Sequence, residues 1–171
     1  DLMWLIMETQ ASPTHVGALL LFEKPKGNPD VVRQIVEAYR SCEPTPPFNY
    51  VTEAGAAGLL HFREATSYDP CYHIQHIALP GGATYDDLLR LVADLHEPML
   101  DRGRPLFRDW IIDGVPDNLF AIYAKVHHAI IDGVSGAGLA EVLLDLEPTP
   151  RVPEVDLSDE ITTGRIPGQG E

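Results

Sequence analysis

The stretch Leu119-Phe120-Ala121-Ile122-Tyr123-Ala124-Lys125-Val126-His127-His128-Ala129-Ile130-Ile131-Asp132-Gly133 decides how the chain folds. Residues 119–126 are almost uniformly apolar with little polar alternation, the pattern of a central strand covered on both faces. Two histidines end the run, and after three apolar residues an aspartate-glycine pair follows. The unperturbed pKa of histidine lies near neutrality, so it serves as a base without much tuning. Asp132, four residues on, can fix the local backbone through hydrogen bonds or an ion pair, and Gly133 gives a conformation and clearance that no other residue would. Four such fixed positions should match by chance in roughly one of several thousand chains of this size, so the spacing carries information.

Working outward, Phe107 to Ile112 is a second apolar, β-rich run, joined to the first by Gly114-Val115-Pro116-Asp117-Asn118. That spacing predicts a hairpin with a short loop. Downstream, Ser135 is a candidate N-cap, with Leu139, Val142, Leu143 and Leu146 at helical spacing. Upstream, Leu2 to Met7 reads as a short helix or turn, Val16 to Phe22 as a buried strand, and Leu59 to Glu64 as a short strand. Asn28-Pro29-Asp30 offers an N-cap, a first-position proline and an early acid for an amphipathic helix over 29–41, ended by Pro44, Pro46 and Pro47. Thr84-Tyr85-Asp86-Asp87 resembles a capping box and opens a second helix. Leu88, Leu91, Val92, Leu95 and Met99 form its apolar stripe, and Pro98 bends or breaks it. Mixed strands and helices with one hairpin place the chain in the α/β (α+β) class, a mixed sheet flanked by helices. Residues 1–146 form the folded domain. From Glu147 the prolines and glycines of an acidic stretch make 147–171 a linker or disordered tail.

The 171 residues suffice for one well-buried domain, and 44% hydrophobic with 22% charged residues is a globular composition. A net charge of −14 with no Lys/Arg cluster argues against nucleic acid as a partner. Cys42 and Cys71 form no CxxC pair, which fits free thiols in a reducing, cytoplasmic compartment. No apolar run approaches a membrane span, and the first residues lack the basic start and cleavage site of a signal peptide. The chain begins without an initiator methionine and reads as a trimmed piece of something longer.

The histidine pair admits several readings. Adjacent strand residues point to opposite faces, so one histidine turns into a core and is structural, His127 being the candidate. A metal held by His127 or His128 with Asp132 is awkward for the same reason. The motif can also simply end a strand and start a helix. Gly133, Gly136 and Gly138 match neither GxGxxG nor a P-loop, and Gly133-Val134-Ser135-Gly136-Ala137 misses GxSxG at its last position. Neither cysteine recommends a thiol mechanism. His73 and His76 read as structural or surface residues, His15 as a polar residue near a channel mouth, and Arg102-Gly103-Arg104 as a solvated turn.

His127-His128-Ala129-Ile130-Ile131-Asp132-Gly133 matches the HHxxxDG motif of the coenzyme A-dependent acyltransferase superfamily, which includes chloramphenicol acetyltransferase and peptide-synthetase condensation domains. Thr14-His15-Val16-Gly17, Pro47-Phe48-Asn49, His76-Ile77-Ala78-Leu79-Pro80-Gly81 and Gly103-Arg104-Pro105-Leu106-Phe107 narrow the resemblance to the bacterial wax ester synthase/diacylglycerol acyltransferase family. They resemble its HVG, PFN, H-x-x-LP and PLW segments, with Phe107 where the last has tryptophan. The resemblance runs from Asp1 to about Leu146. It implies a chloramphenicol acetyltransferase-like sheet and the N-terminal half of a two-domain enzyme, either a cleaved piece or one of two associated chains. It implies transfer of a fatty acyl group from acyl-coenzyme A, a co-substrate rather than a resident cofactor, to diacylglycerol or a long-chain fatty alcohol. The resemblance implies no metal. His128 would be the base, His127 would orient the strand end, Asp132 would hold the loop through an arginine, and Gly133 would leave room for substrate. The C-terminal half would be a partner, and peripheral contact with a membrane or lipid-droplet surface is consistent with such substrates. Two other readings are a condensation-type acyltransferase acting on carrier-protein substrates and a non-catalytic lipid- or coenzyme A-binding module of the same fold.

Overall fold

The hairpin expected around Pro116 forms, and it is the middle of the sheet. The computed structural model describes residues 2–55 and 59–131. Its elements are α1 (Met3–Met7), β1 (His15–Glu23), α2 (Val31–Ser41), β2 (Tyr50–Ala54), β3 (Leu60–Glu64), α3 (Pro70–His73), β4 (Ile74–Ala78), α4 (Tyr85–His96), β5 (Phe107–Val115), β6 (Leu119–His127) and a 3-10 turn, His128–Ile130. Four strands form one sheet in the order β1-β6-β5-β4. β6 runs antiparallel to both β1 and β5, while β4 is parallel to β5. β2 and β3 pair apart from it. The class is therefore α/β with a mixed sheet flanked by helices, as the residue pattern implies.

Local chemistry accounts for the hairpin. Asp117 and Asn118 both sit at φ 59°, the left-handed region that their short polar side chains tolerate. Gly114 has φ +75°, and a Cβ there would stand 2.7 Å from the Leu79 carbonyl oxygen, so only glycine fits the irregularity between Ile112 and Val115. β6 is buried along nearly its whole length, in keeping with a central, doubly covered strand.

Other boundaries differ from expectation for identifiable reasons. α2 begins at Val31, because the Asn28 side chain accepts from the Asp30 N–H and makes Pro29-Asp30 a preceding turn. The Thr84–Asp87 capping box is present in full. α4 ends at His96, ahead of Pro98, so Met99 lies outside its stripe and is 37% exposed. β1 is an edge strand of the described sheet, and its Leu21 is exposed. His73 is fully buried, its Nδ1 donating to the Phe107 carbonyl at 2.7 Å, whereas His76 is exposed. The helix expected after Ser135 and the boundary at 146/147 lie outside the described residues. No described helix is long and apolar enough to cross a membrane.

Side chains alternate between two covered faces of the sheet. Phe107 and Ile111 of β5 with Phe120, Ile122 and Val126 of β6 meet Val32 and Val36 of α2. On the opposite face Trp110, Ile112, Ala121 and Tyr123 meet Leu88 of α4.

Candidate active site

The site lies where β6 leaves the sheet. Alternation puts Tyr123, Lys125 and His127 on the α4 face, opposite Leu19, Gly17 and His15 of β1. Gly17 is glycine for a steric reason: a Cβ would fall 2.8 Å from a ring carbon of Tyr123. The strand ends at His127, and His128 opens the 3-10 turn rather than continuing the alternation.

His127 is completely buried. Its backbone N–H donates to the Leu106 carbonyl at 2.9 Å, tying the strand end to the segment before β5. Its Nδ1 accepts the Ala129 N–H at 3.0 Å. A ring nitrogen that accepts carries no proton, so the neutral ring keeps its hydrogen on Nε2. Nε2 faces two acceptors, the Thr14 hydroxyl oxygen at 3.2 Å and Glu8 Oε2 at 3.4 Å. The Thr14 hydroxyl spends its own proton on the Trp4 carbonyl, at 3.1 Å. Burial pulls the His127 pKa below its ordinary value and outweighs the opposing pull of Glu8.

Glu8 follows α1 and its side chain has no exposure. Arg102 binds Glu8 Oε2 through Nη2 at 2.9 Å and Nε at 3.2 Å, and donates a further bond to the Leu5 carbonyl at 2.7 Å. The Thr14 N–H reaches Oε1 at 3.3 Å. Burial alone would raise the Glu8 pKa, but the Arg102 and Thr14 donors together with His127 hold it below the ordinary carboxylate value. Arg102 is therefore no solvated turn residue; it is the counter-ion of a buried acid.

His128 is partly exposed. Its N–H donates to the Thr14 carbonyl at 3.0 Å, and its ring stacks on Trp4 of α1 with centroids 4.1 Å apart. Its Nδ1 is buried without a hydrogen-bond partner among the described residues. One histidine is thus locked into the fold and its neighbour is held by backbone and stacking, a suitable arrangement for moving a proton at the free edge of the second ring.

Below the pair, Lys125 is 2% exposed and its ammonium donates to the carbonyls of Leu95, His96 and Pro98, the unpaired end of α4. Burial, with Arg108 nearby, pulls its pKa down to about 8. His15 Nε2 donates to the same His96 carbonyl at 2.6 Å, and burial followed by the Lys125 charge takes its pKa down to about 4. His15 is thus an anchor between β1 and α4. Asp132 and Gly133, with Ser135, Gly136 and Gly138, lie outside the described residues. Sequence reasoning missed Glu8, Thr14, Arg102 and the role of Lys125. Of these only Lys125 carried a local signal, as a lone charge inside an apolar strand.

The description "Wax ester synthase/diacylglycerol acyltransferase catalytic domain" belongs to a family model that matches residues 1–163. A Mycobacterium tuberculosis protein named probable diacylglycerol O-acyltransferase is 38% identical over 152 residues, covering 86% of this chain and 34% of that protein. The O-acyltransferase WSD of Acinetobacter baylyi is 36% identical over 154 residues, with 88% and 32% covered. The chain spans about a third of the length of these curated relatives. Among solved structures, the wax ester synthase/diacylglycerol acyltransferase from Marinobacter aquaeolei VT8 superposes with a TM-score of 0.78 at 35% identity, over 88% of this chain and 38% of that one. A condensation domain of the enacyloxin polyketide synthase shares the fold, with a TM-score of 0.56 at 18% identity over 82% of this chain and 27% of that one. With most of its length matched by the family model, and with 38% and 35% identity to the mycobacterial and Marinobacter proteins over the aligned residues, the chain belongs to the wax ester synthase/diacylglycerol acyltransferase family.

Proposed function

We propose that the protein carrying this chain transfers a fatty acyl group from acyl-coenzyme A to the hydroxyl of diacylglycerol or a long-chain fatty alcohol, with His128 as general base. The observation that carries the reading is the contrast within the pair, His127 buried with both ring nitrogens engaged and His128 partly exposed on the Trp4 ring. With Nδ1 buried, Nε2 is the nitrogen left to meet substrate. It takes the hydroxyl proton as the oxygen attacks the thioester carbonyl carbon. The tetrahedral intermediate then collapses, the C–S bond breaks, and the thiolate recovers that proton from His128. A C–O bond replaces the C–S bond, and no acyl-enzyme is needed because the thioester is already activated. Asp132 would hold the loop after the turn and Gly133 would leave the acceptor room.

Relatives about three times longer support a second half that supplies the opposite wall of the site, with residues 1–146 as the first and 147–171 as the connection. Ile6 and Met7, exposed on the helix that carries Trp4, support peripheral contact with a lipid surface. In the complete enzyme, His128→Ala is expected to lower kcat by about a hundredfold or more. Steady-state assay with acyl-coenzyme A and either alcohol checks this, and near-normal turnover would sink the assignment. The 171-residue chain alone is expected to show no acyl transfer, and turnover by it would refute the division of the site.

A further inference from the structure

A buried ion pair is a poor device for stability, because desolvating both charges offsets most of their attraction. In the Glu8–Arg102 pair the acid bears that cost, its side chain having no exposure while Arg102 keeps 35%. The Glu8 carboxylate reaches three elements at once: Arg102 before β5, the Thr14 N–H before β1, and His127 Nε2 at the end of β6. The last contact has a chemical consequence that packing alone would lack. An acceptor at Nε2 selects the tautomer protonated there, which leaves Nδ1 a lone pair for the Ala129 N–H. The opposite tautomer would set Nδ1–H against Ala129 N–H across 3.0 Å, two donors facing each other inside the turn that begins at His128.

We propose that Glu8, with Arg102 as its counter-ion, is a positioning residue for acyl transfer: it holds the His127 proton on Nε2, so that Nδ1 sets the 3-10 turn that aims His128. Glu8 touches no reacting atom and acts through His127. The proposal rests on the acyltransferase reading for its effect on rate, but its geometric half stands apart.

The test is a double-mutant cycle in the complete enzyme. Glu8→Leu leaves Nε2 only the neutral Thr14 hydroxyl as acceptor and is expected to lower kcat by about tenfold through misplacement of His128, with KM for both substrates nearly unchanged. Glu8→Gln, whose amide oxygen still accepts, should fall in between. His127→Asn keeps an oxygen near the Nδ1 position for the Ala129 N–H but has no tautomer to select. In that background Glu8→Leu should change kcat by less than about twofold. Equal losses in both backgrounds, or normal kcat in Glu8→Leu, would overturn the proposal, since a purely structural acid costs the same in each. Nitrogen-15 spectra of histidine-labelled wild-type enzyme read the tautomer directly and need no variant to fold. A His127 proton on Nε2 supports the proposal, and one on Nδ1 overturns it. Absence of turnover in the wild type would count against the acyltransferase reading, while the tautomer would still decide the geometry.

Discussion

The two faces of the β1-β6-β5-β4 sheet secure their helices by different chemistry. On one, Val32 and Val36 of α2 rest against Phe107, Ile111, Ile122 and Val126, an apolar contact to which the helix adds one side-chain hydrogen bond, Arg40 Nε to the Ile74 carbonyl at 3.0 Å. On the other, α4 is apolar at Leu88, but its C-terminal end is pinned by the Lys125 ammonium, by His15 Nε2 on the His96 carbonyl, and by the Tyr123 hydroxyl at His96 Nδ1. Hydrogen bonds have direction and packing has little, so the second helix is held at a fixed height along the strand. That face also carries His127. The comparison teaches that the candidate site stands on the part of the fold whose geometry is most closely specified.

The largest expected effect that separates the faces is on stability. Lys125→Met keeps the apolar stem but leaves the carbonyls of Leu95 and Pro98 without their donor, His96 retaining His15, and should cost about 3 kcal/mol or more. On the α2 face, Val36→Ala removes two methyl groups and should cost about 2 kcal/mol. Urea midpoints for the complete protein check the pair. A smaller loss for Lys125→Met than for Val36→Ala would erase the contrast.

The same contrast governs what could be read from the sequence. α2, α4 and the β5–β6 hairpin were legible because their signals are local: apolar spacing, a capping box, and Asp117-Asn118 at a turn. The histidine pair was legible as chemistry for the same reason. β2, over Tyr50–Ala54, was not, because Thr52 and Glu53 break its apolar run. Nor was the strand order, since nothing near Val16–Phe22 announces β6 as a partner about a hundred positions away. The Glu8–Arg102 pair joins residues 94 positions apart, and an acid after a short helix looks like any surface acid until the fold buries it. His15 was misjudged in the same way, because burial is a property of the assembled sheet and not of the flanking residues.

The faces also differ in how they answer to pH, and this gives the most selective expected effect. On the α4 face His15 has its pKa reduced from 6.5 to about 4 by burial and then by Lys125. The unfolded chain therefore binds more protons than the folded one between about pH 4 and 6.5, and this contribution to stability is lost as pH falls through that window. His96 and His127 shift in the same direction, as does His73 beneath Phe107. Asp109, on the α2 face, runs the other way. Burial lifts it from 3.8 to about 7, so the folded chain holds the extra proton and stability falls as pH rises from about 4 to 7. The two contributions oppose each other in one window, amounting to about 3 kcal/mol for His15 and about 4 kcal/mol for Asp109. Asp109→Asn, which cannot ionise, should therefore make acid destabilisation between pH 7 and 4 steeper than in the wild type. His15→Gln keeps a donor for the His96 carbonyl but does not titrate, and should make it shallower. Urea midpoints measured across that range check both. Parallel curves for the two variants would mean that the faces do not titrate independently, and that the division between a packed face and a bonded one does not extend to their protons.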